Sequence, residues 1–553
     1  MTFPKAAFIK SCTRPCLLLA VALSLAQVPA AVQAISGPRA DLPVVRTGAQ
    51  VPHLMGLMPR KLVAFKYESG WVQIPLQVDE RTEVDVGLVR DDPPTGLKVL
   101  DYADAGTLVG PDPDPTFDAD DELVFMAGDT GGEAPGTTGR PAGVLPSPAP
   151  ALQAVLTDPD TGTSSYAYVF VSDGSLDPSA GQKDVIYDFH LLSGSYLNAY
   201  NFHEGANPED TAIETPYYRL HFSDRWVRDG LEITAGGAPG IDILDRHKFL
   251  FYPGNCGRTE QTFSEGGGGF FANIGGPVRA IRSYLGANSG YATQRDHLFY
   301  ARRHEIVIFC RVHPIPGAMD FMDYSEGALG MRYFNNANPQ GVAIDGIPDT
   351  VARGALQCEM VTGAQGTLTI VHSAEIDVGG AFAVTSYYDD EENPQYVQCT
   401  GDSHEYGASG PWLVGVIWNT DPLLGPAGNL VLHHVEYFDP PDGDASWAEA
   451  RLRAEESPLL ISTGLWPIPS VPSITGVAAE PNPFRLKVTG AGFRQGCRVE
   501  INGGPAPKTA YKNQGLAVAK GAGLKAMVPK GVTVQITVVS PDGTQSTEFP
   551  FTR

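Results

Sequence analysis

Short runs of β-branched, aromatic and aliphatic residues, each closed by Gly, Pro or Asp, recur along nearly the whole chain. LVAFKY at 62–67 and WVQIPLQV at 71–78 flank the turn ESG. LQAVL at 152–156 and YAYVFV at 166–171 flank DPDTG. Such pairs read as antiparallel hairpins. An apolar stripe of helical period is missing from every long stretch, and the best helical candidate is 445–456 (ASWAEARLRAEE), rich in strong helix formers. With 62 Gly and 46 Pro in 553 residues the chain is turn-rich, and its length calls for two to four domains. The expected fold is all-β: a large multi-strand β-sandwich body followed by a small C-terminal sandwich.

Residues 1–34 read as an address. Lys5, Lys10 and Arg14 precede the apolar run 16–26, and small residues at 32–34 suit cleavage before Ile35. That run is too short to span a bilayer, and no later segment approaches the necessary length. The expectation is a secreted or extracytoplasmic protein without a transmembrane segment. The net charge of −24 argues against nucleic acid as a partner. From Val471 onwards the balance reverses, with ten Lys or Arg against four Asp or Glu, so the body is more acidic than the total suggests.

The remaining stretches divide as a β unit at 35–130, a Pro/Gly-rich linker or insertion at 131–151, a central body at 152–466, and a hinge plus small sandwich at 467–553. Cys256, Cys310, Cys358, Cys399 and Cys497 follow the cleavage point. An exported protein favours pairing, and an odd count leaves at least one thiol free. Cys358 with Cys399 is the expected bridge, and Cys310, inside IVIFCRV, reads as a buried apolar thiol.

Two regions suggest chemistry. DPDPTFDADDE at 112–122 places alternating carboxylates on a tight loop, as a hard cation such as calcium requires. Asp112, Asp114, Asp118 and Asp120 are the candidate ligands, although the spacing lacks the central Gly and closing Glu of an EF-hand, and a solvated acidic loop is the plainer reading. The second region is 264–349, where Arg, His and Tyr crowd onto consecutive strands. Alternation along 299–313 puts Arg303, Glu305, Arg311 and His313 on one face and Tyr300, Arg302 and His304 on the other. Its apolar middle should be buried and its polar ends should emerge at a groove. Tyr or His can remove a proton beside a carboxylate that Arg neutralises. Tyr291, Arg295, His297, Tyr300 and His304 are therefore the candidate catalytic residues, with Arg303, Arg311, His313 and Tyr324 as substrate contacts. The plainer alternative pairs Arg303 with Glu305 and leaves the histidines to satisfy backbone groups. Asp320, Asp323, Glu326, Asp345 and Asp349 could supply the paired acids of glycoside hydrolysis. His433 and His434 face opposite ways, a poor metal pair. HExxH and GxSxG do not occur.

The tail carries VTGAGF at 488–493 and VEING at 499–503. It resembles an IPT/TIG domain over about 80 residues, which implies an immunoglobulin-like accessory sandwich and no catalysis. IPLQVDE at 74–80, DELVF at 121–125 and GPVR at 276–279 resemble a poorly characterised exported β-sandwich family associated with bacterial polysaccharide breakdown. That resemblance implies a lyase- or hydrolase-like protein with an extracellular glycan or another surface component as partner. The other class of reading is a non-catalytic envelope or adhesion protein.

Overall fold

The computed structural model describes residues 34–553 apart from 88–93, 95, 137, 182–183, 194–205, 252–255, 267, 287–292, 311–314, 377–381, 391–398, 403–405, 418–429, 468–470, 514 and 542. The expected export signal thus lies outside the described residues except for Ala34. Among the described residues no helix is long and apolar enough to cross a membrane.

The protein is all-β, with antiparallel pairing throughout the named sheets. Its largest sheet has nine strands. In spatial order they are Gly269–Gly275, Ala280–Leu285, Thr293–Phe299, Arg303–Cys310, Leu430–Asp439, Gly366–Ile376, Cys358–Gly363, Arg332–Asn335 and Asn338–Ala343. Central strands of a layered structure should be apolar on both faces, and this explains the continuous run in Arg303–Cys310. Two four-stranded sheets cover the inner face. One holds Leu244–Phe251, Ile315–Tyr324, Ala408–Ile417 and Phe382–Asp389. Its Phe249, Phe251, Ala318 and Leu413 pack on Ile306, Ile308, Leu430 and Leu432. The other contains Tyr218–Asp224 and Val227–Ile233, whose Leu220, Phe222, Leu231 and Ile233 meet Phe299, Ile370 and Phe438.

The outer face of the nine-stranded sheet is covered by the helix Ser446–Glu456, close to the expected 445–456, and by the N-terminal strands. Leu62–Tyr67 pairs with Ser164–Val171, and Leu460–Leu465 pairs with Ala151–Thr157. Val44, Leu62, Phe125, Leu152, Val169, Met360, Val435 and Ala454 share one core. The 35–130 stretch therefore does not close on itself; its hairpin is completed by strands from the central body. The strand expected over 71–78 ends at Ile74, since Pro75 has no N–H for the ladder, and pairing resumes at Gln77–Asp79 with Glu122–Met126.

The C-terminal residues form two four-stranded sheets, Ser473–Pro481, Phe484–Ala491, Leu516–Lys520 and Lys508–Asn513 against Gly504–Pro505, Arg498–Ile501, Thr533–Val539 and Phe549–Thr552. They enclose a core of their own around Leu486, Val488, Phe493, Val499, Ile536 and Val538.

Cys256 pairs with Cys399, not Cys358 with Cys399. Cys358 is buried in the core beneath the helix, on the outer face of the sheet, and burial pushes its thiol up to about 11. Cys310, Cys358 and Cys497 are buried, and Cys358 and Cys497 are free thiols.

Candidate functional site

The strands Arg303–Cys310, Leu430–Asp439 and Gly366–Ile376 position polar side chains on both faces of the large sheet. Register fixes which face each takes. His304 lies opposite Glu436 and Phe299, Ile306 opposite His434 and His297, and His434 opposite His372. These residues point inward. Arg303, Glu305, His433, Val435 and Ser373 point outward.

Inside, a chain of hydrogen bonds crosses the interlayer space. The Tyr284 hydroxyl is 2.9 Å from His297 Nε2, and His297 Nδ1 is 2.9 Å from His304 Nε2. His304 Nδ1 is 2.9 Å from Glu436 Oε2, and His434 Nε2 is 3.0 Å from Glu436 Oε1. His434 Nδ1 is 3.2 Å from Asp320 Oδ2. Arg228 donates to Glu436 and Arg295 to Asp320, at 3.0 and 3.3 Å. All these residues are buried. Burial lowers His304 to about 4 and takes His297 well below the ordinary imidazole range, so both are neutral. Burial acts the same way on His434, but its bonds to Asp320 and Glu436 prevail and hold it at about 9. Glu436 is held well below its usual range because Arg228 and His304 outweigh burial.

Outside, a groove of about 400 Å³ runs between the sheet and the helix Ser446–Glu456. Arg303 is its organising residue. Its guanidinium reaches Glu305 at 2.6 Å and Glu455 at 3.3 Å, and its Nε donates to the Tyr437 hydroxyl at 3.2 Å. Tyr437 in turn donates to Glu455. Gln357, Ser373, Glu375, His433 and Glu456 complete the lining. Burial would raise Glu305, but Arg303 outweighs it and keeps the carboxyl below its ordinary value. Glu305 is therefore a hydrogen-bond acceptor.

The residues singled out by sequence are distributed over four places. Arg295, His297 and His304 belong to the inner chain. His304 was expected at a rim; its face of the strand is instead closed over by the second sheet. Tyr300 is also buried and accepts a hydrogen bond from Arg279 at 3.1 Å. Tyr324 is buried with its hydroxyl 2.8 Å from Ser409 Oγ. Arg303 lines the groove and pairs with Glu305. Tyr291, Arg311 and His313 lie outside the described residues. Of the proposed acid pairs, Asp320 and Asp323 are buried on opposite faces of one strand, and Asp323 meets Lys248 at 2.5 Å. Glu326, Asp345 and Asp349 are exposed.

In the acidic loop, carboxylates turn onto the loop's own backbone. Asp114 accepts from the Thr116 N–H at 3.1 Å, Asp118 from the Asp120 N–H at 3.2 Å, and Asp121 from the N–H groups of Arg81 and Asp118 at 2.9 Å. Burial and the neighbouring Asp118 raise Asp120 to about 6. Among the described residues, the His, Cys, Asp and Glu side chains whose ligand atoms converge as for a metal are His247, Asp320 and His434 instead.

The three stretches at 74–80, 121–125 and 276–279 meet in one buried knot. Gln77 Oε1 accepts from the N–H groups of Val278 and Arg279 at 3.1 and 3.0 Å. Arg279 reaches Asp79 at 2.7 Å and Glu122 at 2.5 Å. A Cβ on Gly276 would stand 2.1 Å from Gln77 Oε1, so a larger residue there would push the Gln77 amide out of these bonds. Every member has a partner within the protein, which makes the knot a fastening between layers.

His247, Glu436, Arg228, Glu359 and His372 were not anticipated. A signal existed for one of them, Glu436. His434 and Glu436 alternate with Leu430, Leu432 and Phe438 on one face of their strand, and a carboxylate on an otherwise apolar face implies a buried partner.

No family model matches the sequence. No curated protein matches it either. Among solved structures the chain is similar to heparan sulfate lyase HepC from Pedobacter heparinus, at 9% identity and a TM-score of 0.24, with 64% of this chain and 42% of that one covered. It is similar to a protein in the Glycosyl Hydrolase Family 38 from Enterococcus faecalis, at 7% identity and a TM-score of 0.33, over 81% and 50% of the two chains. It is also similar to the Slr1438 protein from Synechocystis, at 10% identity and a TM-score of 0.23, over 43% and 98%. The chain spans half or less of the first two proteins. At these TM-scores the likeness carries no functional argument.

Proposed function

We propose that this is an exported protein that binds an extracellular glycan in the groove between the nine-stranded sheet and the helix Ser446–Glu456. The observation that supports the reading is Arg303, which holds two carboxylates, Glu305 and Glu455, at the floor of an open groove of about 400 Å³. A sugar presents hydroxyls that both donate and accept. Fixed carboxylates, Gln357, Ser373 and His433 offer the complementary set. Four glutamates against one Arg and two His favour a neutral saccharide over a uronic or sulfated one. The C-terminal sandwich fits an IPT/TIG accessory module beside that body.

Binding without turnover is favoured over processing. A general acid needs a raised carboxyl, whereas Glu305 is lowered. The buried His297, Tyr300 and His304 are out of a polymer's reach.

The test uses the chain from Ile35 to Arg553 with a panel of neutral and uronic polysaccharides, each with calcium and with chelator, because the 112–120 loop is the candidate calcium site. Retention by polymer gels and the masses of any products are read together. Retention by a neutral polymer without fragments is expected. His433→Ala and Glu375→Ala, at partly open positions, should each weaken it by ~10-fold, as loss of a hydrogen bond to a charged group implies. Absence of retention across the panel, or retention indifferent to both variants, would overturn the groove assignment. Unsaturated or hydrated fragments would replace binding by elimination or hydrolysis.

A further inference from the structure

We infer that His247, Asp320 and His434 form a binding site for a divalent transition-metal ion, zinc by ligand preference, which fastens the second sheet to the nine-stranded sheet. His247 and Asp320 stand on neighbouring strands of the four-stranded sheet, Leu244–Phe251 and Ile315–Tyr324. His434 comes from Leu430–Asp439 on the opposite layer. Their ligand atoms all lie within 4.8 Å of one another, and all three residues are buried. His247 Nε2 is 2.8 Å from Asp320 Oδ1, and His434 Nδ1 is 3.2 Å from Oδ2. Ligands on a tetrahedral ion with bonds of about 2.0–2.1 Å stand roughly 3.4 Å apart, a separation inside the 4.8 Å within which these atoms already gather.

His247 supplies the second observation. Neither ring nitrogen makes a hydrogen bond, although the side chain is only 1% exposed. Its Nε2 stands 2.8 Å from Asp320 Oδ1 without meeting the geometry of a hydrogen bond. A buried imidazole without hydrogen bonds is costly, and a ring nitrogen beside a carboxylate can recover that cost by sharing an ion with it.

The surroundings agree. His434 Nε2 is 3.0 Å from Glu436 Oε1, which orients the ring, and an ion taken at Nδ1 would replace the proton that Nδ1 now shares with Asp320 Oδ2. Arg295, 3.3 Å from Asp320 Oδ1, competes for one of that residue's two oxygens. A crevice of about 10 Å³ touches Asp320 and His434 and is also lined by Ser373 and His433, leaving space for a single small ligand in an open position. Two imidazoles with one carboxylate suit zinc or iron(II) and disfavour calcium and magnesium, which take oxygen.

The experiment measures metal content of the full protein, purified without chelator, then its melting curve after chelator stripping and after adding back zinc, cobalt(II) or calcium. Stoichiometric transition metal is expected, with a melting midpoint restored by zinc and not by calcium. Asp320→Asn keeps the side-chain shape, and His247→Gln removes a ring that makes no hydrogen bond; both should abolish the zinc-dependent shift while the near-UV circular dichroism stays native. Should both variants fail to fold, the cobalt(II) spectrum of the unaltered protein decides, since intense visible bands report a four-coordinate site and weak ones overturn it. A protein without bound transition metal and without a zinc-dependent shift also overturns the inference. So does metal retained equally by both variants, which would place the ion elsewhere. None of these readouts depends on a glycan.

Discussion

His221 is flanked by two carboxylates, with Nδ1 2.7 Å from Asp229 and Nε2 3.1 Å from Asp210. The bond to Asp229 is the main reason that its imidazole is raised to about 9, against a smaller opposing effect of burial. The unfolded value is about 6.5, so the folded state holds the proton more tightly. The stabilisation is complete below about pH 6.5 and vanishes as the pH rises through about 9. Thermal melts of the native protein and His221→Gln should therefore differ most near pH 6 and converge by pH 10; a constant difference would mean that the ring acts by packing alone. With its side chain 40% exposed, solvent screens the pair and the effect is small. The same scale shows where sequence reading succeeds. The Arg303–Glu305 pair is legible because two residues apart on a strand share a face. The triad of His247, Asp320 and His434 is not, because its members stand on three strands distant in sequence, and only the stacking of two sheets brings them together.

The helix Ser446–Glu456 is the element that makes the groove, and one residue holds it down. Arg451 is buried and its guanidinium bonds Asp439 at 2.5 and 3.0 Å, Asp41 at 2.7 Å and the Pro38 carbonyl at 2.8 Å. It thereby joins the helix to the end of a central strand and to the N-terminal segment. Arg451→Ala leaves buried Asp439 with the longer contact to Arg302, 3.6 Å away, and should cost about 3 kcal/mol, read from the urea midpoint. A change below 1 kcal/mol would show that apolar packing by Ala448 and Ala454 holds the helix. The bridge between Cys256 and Cys399 closes a separation of 143 residues. Peptide mapping without reductant should recover those two cysteines linked, with Cys358 alkylated only after denaturation. Replacing both with serine should cost about 2–5 kcal/mol. Strands were legible from alternation, and the helix from its composition. The pairing of cysteines was not, since it depends on which strands become neighbours. Cys358 had looked available because a sequence does not display the helix that covers it.

At the scale of the molecule, apolar side chains partition unequally between two bodies. The cores of the large body mix N-terminal, central and later strands, so no cut within 35–466 leaves a closed unit: Leu62 and Ala64 share their core with Val435 and Ala454. The C-terminal sandwich differs. Its buried residues, from Leu486 to Val538, pack on one another, and the partly buried residues against them lie between Ile474 and Phe551. What joins it to the body is a junction hollow of about 480 Å³, where Phe493, Arg494, Gln495 and Tyr511 face Trp466, Pro467, Pro148 and Arg140. Dispersion across so open a junction is weak, and a core that takes nothing from the rest of the chain should survive excision. A fragment from Val471 to Arg553 should therefore melt cooperatively and show dispersed amide resonances. The complementary fragment, ending at Pro467, should keep the melting midpoint of the full protein's main transition to within about 2–4 °C, the shift expected for about 1 kcal/mol in a large domain. A fall well beyond that would mean that the basic sandwich stabilises the acidic body across the junction. The two would then count as one folding unit despite their separate cores.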